Sequence, residues 1–491
     1  MTSDRRIARG LFVLTLVAYA WFFNGAGWNA NAQFDLTRAL VEQRTFAIDR
    51  YHANTGDVSF AGGHVYSNKP PGASLLAVPP YAVLYAVERA FSVDVGSATA
   101  QLVNLWLLTL FVCGLSAAFI APVLYSYGRK IGVPRQTALS VAIAIALGTY
   151  VYAYATVFFA HVPAALFCLL AFVWADERPV PAGVAAGLAG FCYHLAIPFA
   201  AVLAAAVLLR SRRAGVRFVL AGLPFGAMLL LYQFSLFGSA LATPLEQSSR
   251  FTQEDAWLGL FLAPRLDVLW AITFSRFRGL FYLSPILLFA FAGGWMMIKK
   301  RVMRRELAVV GVTFAIMLLA NASFNGWHGG SAIGPRYILH AVPLLGVPMM
   351  FGWIGLRAVR AALLAWSMAV AFLVTAVNPG PSRLIEDPVG SYTVPLFVTG
   401  HLPASVPPAP LFSWKVMLGH VSVNAHAPDE RYPYTRHRPG SVIARWASFN
   451  IGETVAENTA WSVLPIALWI AAGIFWLRRQ AARDDALAST P

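Results

Sequence analysis

The sequence predicts an all-α polytopic membrane protein, and three observations carry that prediction. Of 491 residues, 58% are hydrophobic and only 12% charged, and the mean hydropathy is +0.61; a soluble domain carries about twice that charge. Apolar runs of membrane-spanning length recur from end to end with short polar breaks, whereas a transmembrane β-barrel would alternate residue by residue. Basic residues gather between the runs in a pattern that tracks topology. The net charge of +15 therefore reads as membrane sidedness, and no nucleic-acid partner is expected. Cys113, Cys168 and Cys192 all fall inside apolar runs, where they act as small hydrophobes with no disulfide or metal spacing.

The first element follows from Arg5, Arg6 and Arg9 next to the apolar Ile7 to Phe23. With no small-residue cleavage site at its end, it predicts an uncleaved helix whose N-terminus is cytoplasmic. The next stretch, 25–98, is then an extracytoplasmic loop. Its polar heart, Gln33 to Ala73, ends in Ser67-Asn68-Lys69-Pro70-Pro71-Gly72, where two prolines stop any incoming helix and a new apolar segment begins. Ala73 to Ala90 is apolar but short, carries Pro79 and Pro80, and closes with Glu88-Arg89. It predicts an interfacial or re-entrant helix; counted as a span it would put Arg129, Lys130 and Arg135 outside.

The remaining spans then fall at Thr99 to Tyr125, Thr137 to Val157, His161 to Trp174, a short pair within Ala182 to Leu209, Phe218 to Phe237, Leu280 to Ile298, Leu307 to Ala320, Ile338 to Trp353, Ala361 to Val377 and Trp461 to Trp476. That makes about twelve transmembrane helices with both termini cytoplasmic, and Lys299-Lys300-Arg301 with Arg304-Arg305 on the cytoplasmic side. The chain divides into a membrane module, 1–377, an extracytoplasmic segment, 378–460, and a last helix with its tail, 461–491. The middle segment is rich in Pro, Val and aromatic residues and contains the turn-like Ala427-Pro428-Asp429-Glu430. It predicts a small α+β or β-containing cap before the last helix.

Few residues in such a chain carry charge, so those that do stand out. Asp35 follows the first span at the membrane surface, and its spacing lets it share a helical face with Arg38 and Glu42. Asp49 and Asp57 are turn formers or a second catalytic or metal-binding acid. Lys69 is a cation at the start of a rigid turn, suited to meet a phosphate at the membrane surface. Arg276 and Arg278 lie where a span enters from outside, against the positive-inside bias, and so ask for an anionic partner. Arg336 repeats the situation in Trp327-His328-Gly329-Gly330-Ser331-Ala332-Ile333-Gly334-Pro335-Arg336-Tyr337, whose glycines permit close backbone approach. Together these point to a lipid phosphate held beside a catalytic carboxylate.

His161 and His194 read as satisfied core histidines. His52, His64 and His328 border a polar cavity, without the spacing of a metal site. His64, His328, Tyr337 and Glu42 are candidate acceptor or donor contacts. Tyr150, Tyr152, Tyr154, Phe158 and Phe159 read as an interfacial aromatic belt that in part lines a lipid groove.

An acid just after the first helix, a Lys-Pro-Pro segment closing the first loop, many further spans and an extracytoplasmic C-terminal portion resemble the membrane-embedded glycosyltransferases of the GT-C fold. The most similar branch holds the protein O-mannosyltransferases and the lipid A aminoarabinose transferase. The resemblance covers the topology of roughly residues 1 to 380. Its motifs are Asp35, Lys69-Pro70-Pro71 and, more loosely, Arg278 and Gly334-Pro335-Arg336-Tyr337. Asn68 stands where relatives often have an acid before the Lys-Pro, and Leu36 follows Asp35 where relatives pair two acids. The resemblance implies transfer of a sugar from a polyprenyl-phosphate-linked donor to a lipid, glycan or protein acceptor, with inversion. The reaction would run on the extracytoplasmic face of a prokaryotic-type inner membrane, among membrane lipids. No cofactor follows from these residues, and a divalent metal ion is left open. The rival class is a transporter or flippase for a lipid-linked anion, but the suspicious charges sit at span ends and in loops rather than at mid-membrane, which favours an enzyme.

Overall fold

The computed structural model of the protein describes residues 2–488 apart from 26, 243, 245–246, 248–259, 354, 382, 384, 400–447 and 455–458. Helix α1 (Thr2–Ala20) runs into a short strand, β1 (Phe22–Asn24), and then into the buried polar helix α2 (Trp28–Arg38). A π-helical turn at Ala39–Gln43 and a 3-10 turn at His52–Asn54 lead to a hairpin of β2 (Val58–Ala61) and β3 (His64–Ser67). The hairpin pairs Val58 with Ser67 and Ala61 with His64. Its two-residue turn, Gly62-Gly63, has φ of +57° and +81°, values that glycine adopts without a Cβ penalty.

Helix α3 (Gly72–Ala90) starts directly after Pro70-Pro71 and contains Pro79 and Pro80. Ser67 to Pro71 is thereby pinned, because a Cβ on Gly72 would lie 2.6 Å from the Cys192 backbone. Helices α4 (Ala98–Thr109) and α5 (Leu115–Lys130), joined by a π-helical turn at Leu110–Gly114, form one long rod capped by Ser97, whose hydroxyl accepts from the Ala100 N–H. Next come α6 (Arg135–Leu147), α7 (Val151–Ala155), α8 (His161–Trp174), α9 (Pro179–Cys192), α10 (Ile197–Arg210) and α11 (Arg212–Phe237).

After α12 (Leu266–Thr273), the span expected over Leu280 to Ile298 is broken. Helix α13 (Leu280–Leu283), a 3-10 turn (Pro285–Leu288) and α14 (Phe289–Lys300) replace it, because Pro285 lacks an N–H and drives Ser284 out of the helical region. The rest is α15 (Arg304–Ser323), a 3-10 turn (Arg336–Ala341), α16 (Val342–Gly352), α17 (Arg357–Val377), α18 (Val394–Thr399), β4 (Ser448–Asn450) and α19 (Thr459–Ala488).

Five described stretches are long and apolar enough to cross a membrane: Thr99–Lys130, Arg212–Phe237, Arg304–Ser323, Arg357–Val377 and Trp461–Arg483. The first expected span corresponds to the 19-residue α1, which is not among the five, and the others to apolar helices of 10–17 residues or to broken ones. Helix α3, expected to lie at the interface, is not among the five. Most of the expected cap over 378–460 lies outside the described residues. What is described there includes β4, which pairs antiparallel with β1 and so ties the chain start to the approach of the last helix.

Small residues set the helix crossings, as where a bilayer gives helices no hydrophobic reason to associate. A Cβ on Gly183 would meet Phe218 O at 2.0 Å, so α9 and α11 touch backbone to backbone. Gly293 of α14 and Gly352 of α16 make the same kind of crossing.

One end of this bundle collects paired charges. Asp4 accepts from Tyr125 at 2.6 Å and from Arg135 at 3.0 Å, while Gln136 donates to the carbonyl of Arg478 in the last helix. Lys130 meets Glu177 at 2.7 Å, and Asp176 receives Arg210 at 2.6 Å as well as Arg305. A cavity of ≈ 310 Å³ lies among these pairs, lined in part by Tyr127, Phe172, Leu203 and Val309.

Candidate active site

Helix α2 starts after Gly27 and buries all its residues from Asn29 to Arg38, although six of them are polar or charged. Such a helix survives only if its polar groups are matched. Asn31 donates to Asn54 O at 2.8 Å, Gln33 to Asn29 Oδ1 at 2.6 Å and to Phe158 O at 3.1 Å, and Thr37 to Ser74 O at 3.1 Å. Asp35 is the exception. Its Oδ1 accepts from Asn54 at 3.2 Å, while its fully buried Oδ2 has no partner. Burial pushes the Asp35 carboxyl well above the usual carboxylate range, and the Asn54 hydrogen bond and the Arg38 charge pull it back only in part.

Glu42, about two turns on from Asp35, is fully used. It accepts from Arg38 Nε at 2.8 Å, Tyr51 Oη at 3.0 Å and Tyr81 Oη at 2.7 Å, and the Arg38 guanidinium stacks on Tyr51 at 4.2 Å. It braces α2 against α3 rather than presenting an oxygen to a ligand. Asp49 lies at the surface, receiving the Val65 N–H and His64 Nδ1, each at 2.7 Å. Burial works against it, but those two contacts, with the nearby His52, together hold its carboxyl below the ordinary value. Asp49 and His64 thus clamp the hairpin and stand apart from the buried groups.

Asp57 and Lys69 bridge the two ends of that hairpin. Their atoms lie 2.9 Å apart with side chains only 10% and 14% exposed. Burial pushes the Lys69 ammonium down, an effect that Arg336 reinforces and Asp57 opposes. The neighbouring Asn68 is buried, and neither atom of its amide has a partner.

Arg278 is fully buried, and its fork is taken by backbone: Nε donates to His328 O and Nη2 to Gly330 O, both at 3.0 Å, over the Phe277 ring at 4.1 Å. It holds the 328–330 loop, whose Gly329 and Gly330 have φ of +73° and +69°. Burial lowers Arg278 to about 9. Burial, with the charges of Arg383, Arg278 and Arg336, also keeps His328 well below its usual value, so it is neutral and its Nδ1 accepts from the Gly330 N–H at 2.8 Å.

Arg336 packs its side chain onto Gly329, where a Cβ would lie 3.1 Å from Nε. Its guanidinium stacks over Phe159 at 5.3 Å and Tyr337 at 5.2 Å, while Nε is buried without a partner. Arg336 acts electrostatically on Lys69, Arg278 and His328 alike. Among the described residues, Lys69, Arg278 and Arg336 have a single ion pair between them, Lys69–Asp57, and Arg383 adds its charge at His328. Arg276 does not join it: its side chain is 74% exposed and lies 3.9 Å from Asp387.

The aromatic residues read as an interfacial belt prove to be core. Tyr150, Tyr152, Tyr154, Phe158 and Phe159 are all buried, because the 149–160 stretch folds inward between α6 and α8 instead of riding at a span end. Nor are the histidines satisfied: both ring nitrogens of His161 and Nε2 of His194 lack partners. His161, Tyr193 and Asn68 line the neighbourhood of the cations; Asn68 directly precedes Lys69, whereas nothing in the sequence context of His161 and Tyr193 sets them apart from core residues. Among the described residues, no three His, Cys, Asp or Glu side chains converge as a metal site. Asp49 and Asp57 are committed to partners of their own, while Asp35 keeps one carboxylate oxygen without a partner.

No protein-family model matches the chain, and no curated relative matches it in sequence. Among solved structures, it is similar to the crystal structure of ArnT from Cupriavidus metallidurans bound to undecaprenyl phosphate, at 14% identity and a TM-score of 0.44, over 97% of this chain and 77% of that one. It is also similar to the archaeal oligosaccharyltransferase AglB from Archaeoglobus fulgidus in complex with an inhibitory peptide and a dolichol-phosphate, at 12% identity and a TM-score of 0.43, over 83% of this chain and 60% of that one.

Proposed function

We propose that this protein is a GT-C-type membrane glycosyltransferase that moves a sugar from a polyprenyl-phosphate donor to a lipid, glycan or protein acceptor on the extracytoplasmic face. The observation that carries the reading is the cluster of fully buried Arg278 with half-buried Lys69 and Arg336, in which Lys69–Asp57 is the one ion pair among the described residues. Buried charge without a counter-charge is costly, so the cluster is matched to a ligand that brings negative charge. A lipid phosphate does so and suits a chain made of apolar helices.

The chemistry is a direct displacement. The acceptor hydroxyl attacks the anomeric carbon as the bond from that carbon to the phosphate oxygen breaks, and the bonding pair leaves on the phosphate. The hydroxyl proton passes to Asp35 Oδ2, the buried oxygen with no partner. Lys69 and Arg336 stabilise the charge that grows on the departing phosphate, while Arg278 fixes the loop on which Arg336 packs. One displacement inverts the anomeric centre.

The test is to incubate the purified protein with a panel of polyprenyl-phosphate sugars and an acceptor extract and to follow the lipid by mass spectrometry. Free polyprenyl phosphate appearing with a glycosylated product supports the reading. A donor that binds but stays intact with every acceptor fraction would overturn it in favour of a transporter of lipid-linked anions.

A further inference from the structure

Five polar atoms without partners gather beside the cationic cluster. His161 is 3% exposed, and neither ring nitrogen has a hydrogen-bond partner; the same holds for the Tyr193 hydroxyl and for both atoms of the Asn68 amide. Leaving a buried donor or acceptor unpaired costs about 1–3 kcal/mol, and native interiors hold few such atoms.

Their placement is shared. The His161 and Tyr193 rings lie 4.5 Å apart, and His161 lies 5.7 Å from Phe159 and 6.3 Å from Tyr337. Those last two are the rings on which Arg336 stacks. Gly72, four residues after Asn68, packs on the backbone of Cys192, the chain neighbour of Tyr193.

Resting on the glycosyltransferase reading above, we infer that His161, Tyr193 and Asn68 form the subsite for the sugar of the donor, and that this sugar is a neutral polyhydroxylated ring rather than an amino sugar. Imidazole nitrogens, a phenol and an amide are neutral groups that donate and accept, which is what sugar hydroxyls require, and the aromatic walls suit the apolar face of a pyranose. An ammonium on the sugar would stand beside Lys69, Arg278 and Arg336 with nothing to balance it. Asp57 is committed to Lys69, Glu42 to Arg38 and two tyrosines, and Asp49 to the hairpin. Asp35, the remaining acid of the stretch from Gln33 to Ala73, stands on α2 beside Asn54 and Arg38 and is reserved for the acceptor. A like charge next to three cations is a built-in discrimination.

Competition binding tests this with three short-chain probes: bare polyprenyl phosphate, its mannosyl ester and its 2-amino-2-deoxyglucosyl ester. The expected order is mannosyl ester first, by about tenfold or 1.4 kcal/mol over the bare phosphate, with the amino-sugar ester no better than the bare phosphate. His161→Phe, which keeps a ring, and Tyr193→Phe, which removes one oxygen, each lose the mannosyl advantage and still bind the bare phosphate. The inference is overturned if wild type binds mannosyl ester and bare phosphate equally, if the amino-sugar ester binds best, or if both variants keep the mannosyl advantage, which would mean that water alone fills the site. Failure of the bare phosphate to bind at all would overturn the functional reading itself, and this inference with it.

Discussion

The two ends of the helix bundle treat their cations in opposite ways. At the end where Asp4 meets Arg129 and Arg135, cations face carboxylates: Lys130 has Glu177, Arg210 has Asp176, and Arg305 has both Asp176 and Glu306. Most of these groups are partly exposed. At the other end, about 20 Å away along α9 by its 14 residues, Arg278 is met by backbone carbonyls, Arg336 lies over aromatic faces with its Nε unpaired, and of the three cations only Lys69 has an acid among the described residues. Paired charges at a surface are a structural finish. Buried cations supported by neutral groups keep their charge available to an incoming anion.

The largest expected effect falls on Asp35. Asp35→Asn keeps the shape but removes the proton acceptor, so turnover should fall by about a hundredfold to ten-thousandfold while donor binding survives. Its pH dependence carries a sign. A carboxyl raised by burial is a base only above its shifted pKa, so wild-type turnover should rise with pH through a midpoint well above the ordinary Asp range. Stability runs the other way. A group whose folded-state pKa is raised stabilises the fold below the unfolded value and loses that contribution as pH climbs through the folded one. Asp35→Asn should therefore gain thermal stability over wild type at pH 8 and little at pH 4, which a pair of melting curves would read. Unchanged turnover in Asp35→Asn would pass the role of base to Asp57.

Next in size are the phosphate-facing cations. Arg336→Ala and Lys69→Ala should each weaken donor binding, by about 2–5 kcal/mol if the cation meets the phosphate directly, and lower the rate as well. The Lys69 variant also strands Asp57, so it should melt earlier than the Arg336 variant. Arg278→Lys sharpens the comparison from within the site: an ammonium cannot bridge His328 O and Gly330 O as a guanidinium does. We expect a loss of about 1.5–3 kcal/mol in thermal unfolding, with donor binding falling only as the 328–330 loop loosens.

The sequence made the charged half of this site legible and left the neutral half hidden. Asp35, Lys69 and Arg336 stood out because charge is scarce in the chain and theirs fell outside the apolar runs. Arg276 and Arg278 looked alike two residues apart, and only the fold shows that one points to the surface and the other into the loop of Gly329 and Gly330. Asp49 and Glu42 were drawn toward the site by proximity in sequence, whereas the hairpin and the π-helical turn gave them partners of their own. His161, Tyr193 and the aromatic stretch from Tyr150 to Phe159 sit in apolar surroundings, where a ring that recognises a ligand and a ring that fills a core leave the same trace. The broken helix at Ser284-Pro285 was announced by its proline but masked by the apolar residues around it.

The smallest effect is expected at the paired end. Lys130→Ala removes one partner of a surface pair whose side chains are 45% and 63% exposed, and such pairs contribute about 0–1 kcal/mol. Donor binding and turnover should not move.

The contrast between the two ends reduces to one measurement, the affinity of bare polyprenyl phosphate for wild type, Arg336→Ala and Lys130→Ala side by side. The account predicts at least a thirtyfold loss in Arg336→Ala, the lower bound of about 2 kcal/mol, and none in Lys130→Ala. Equal affinity in wild type and Arg336→Ala, or a loss confined to Lys130→Ala, would contradict it.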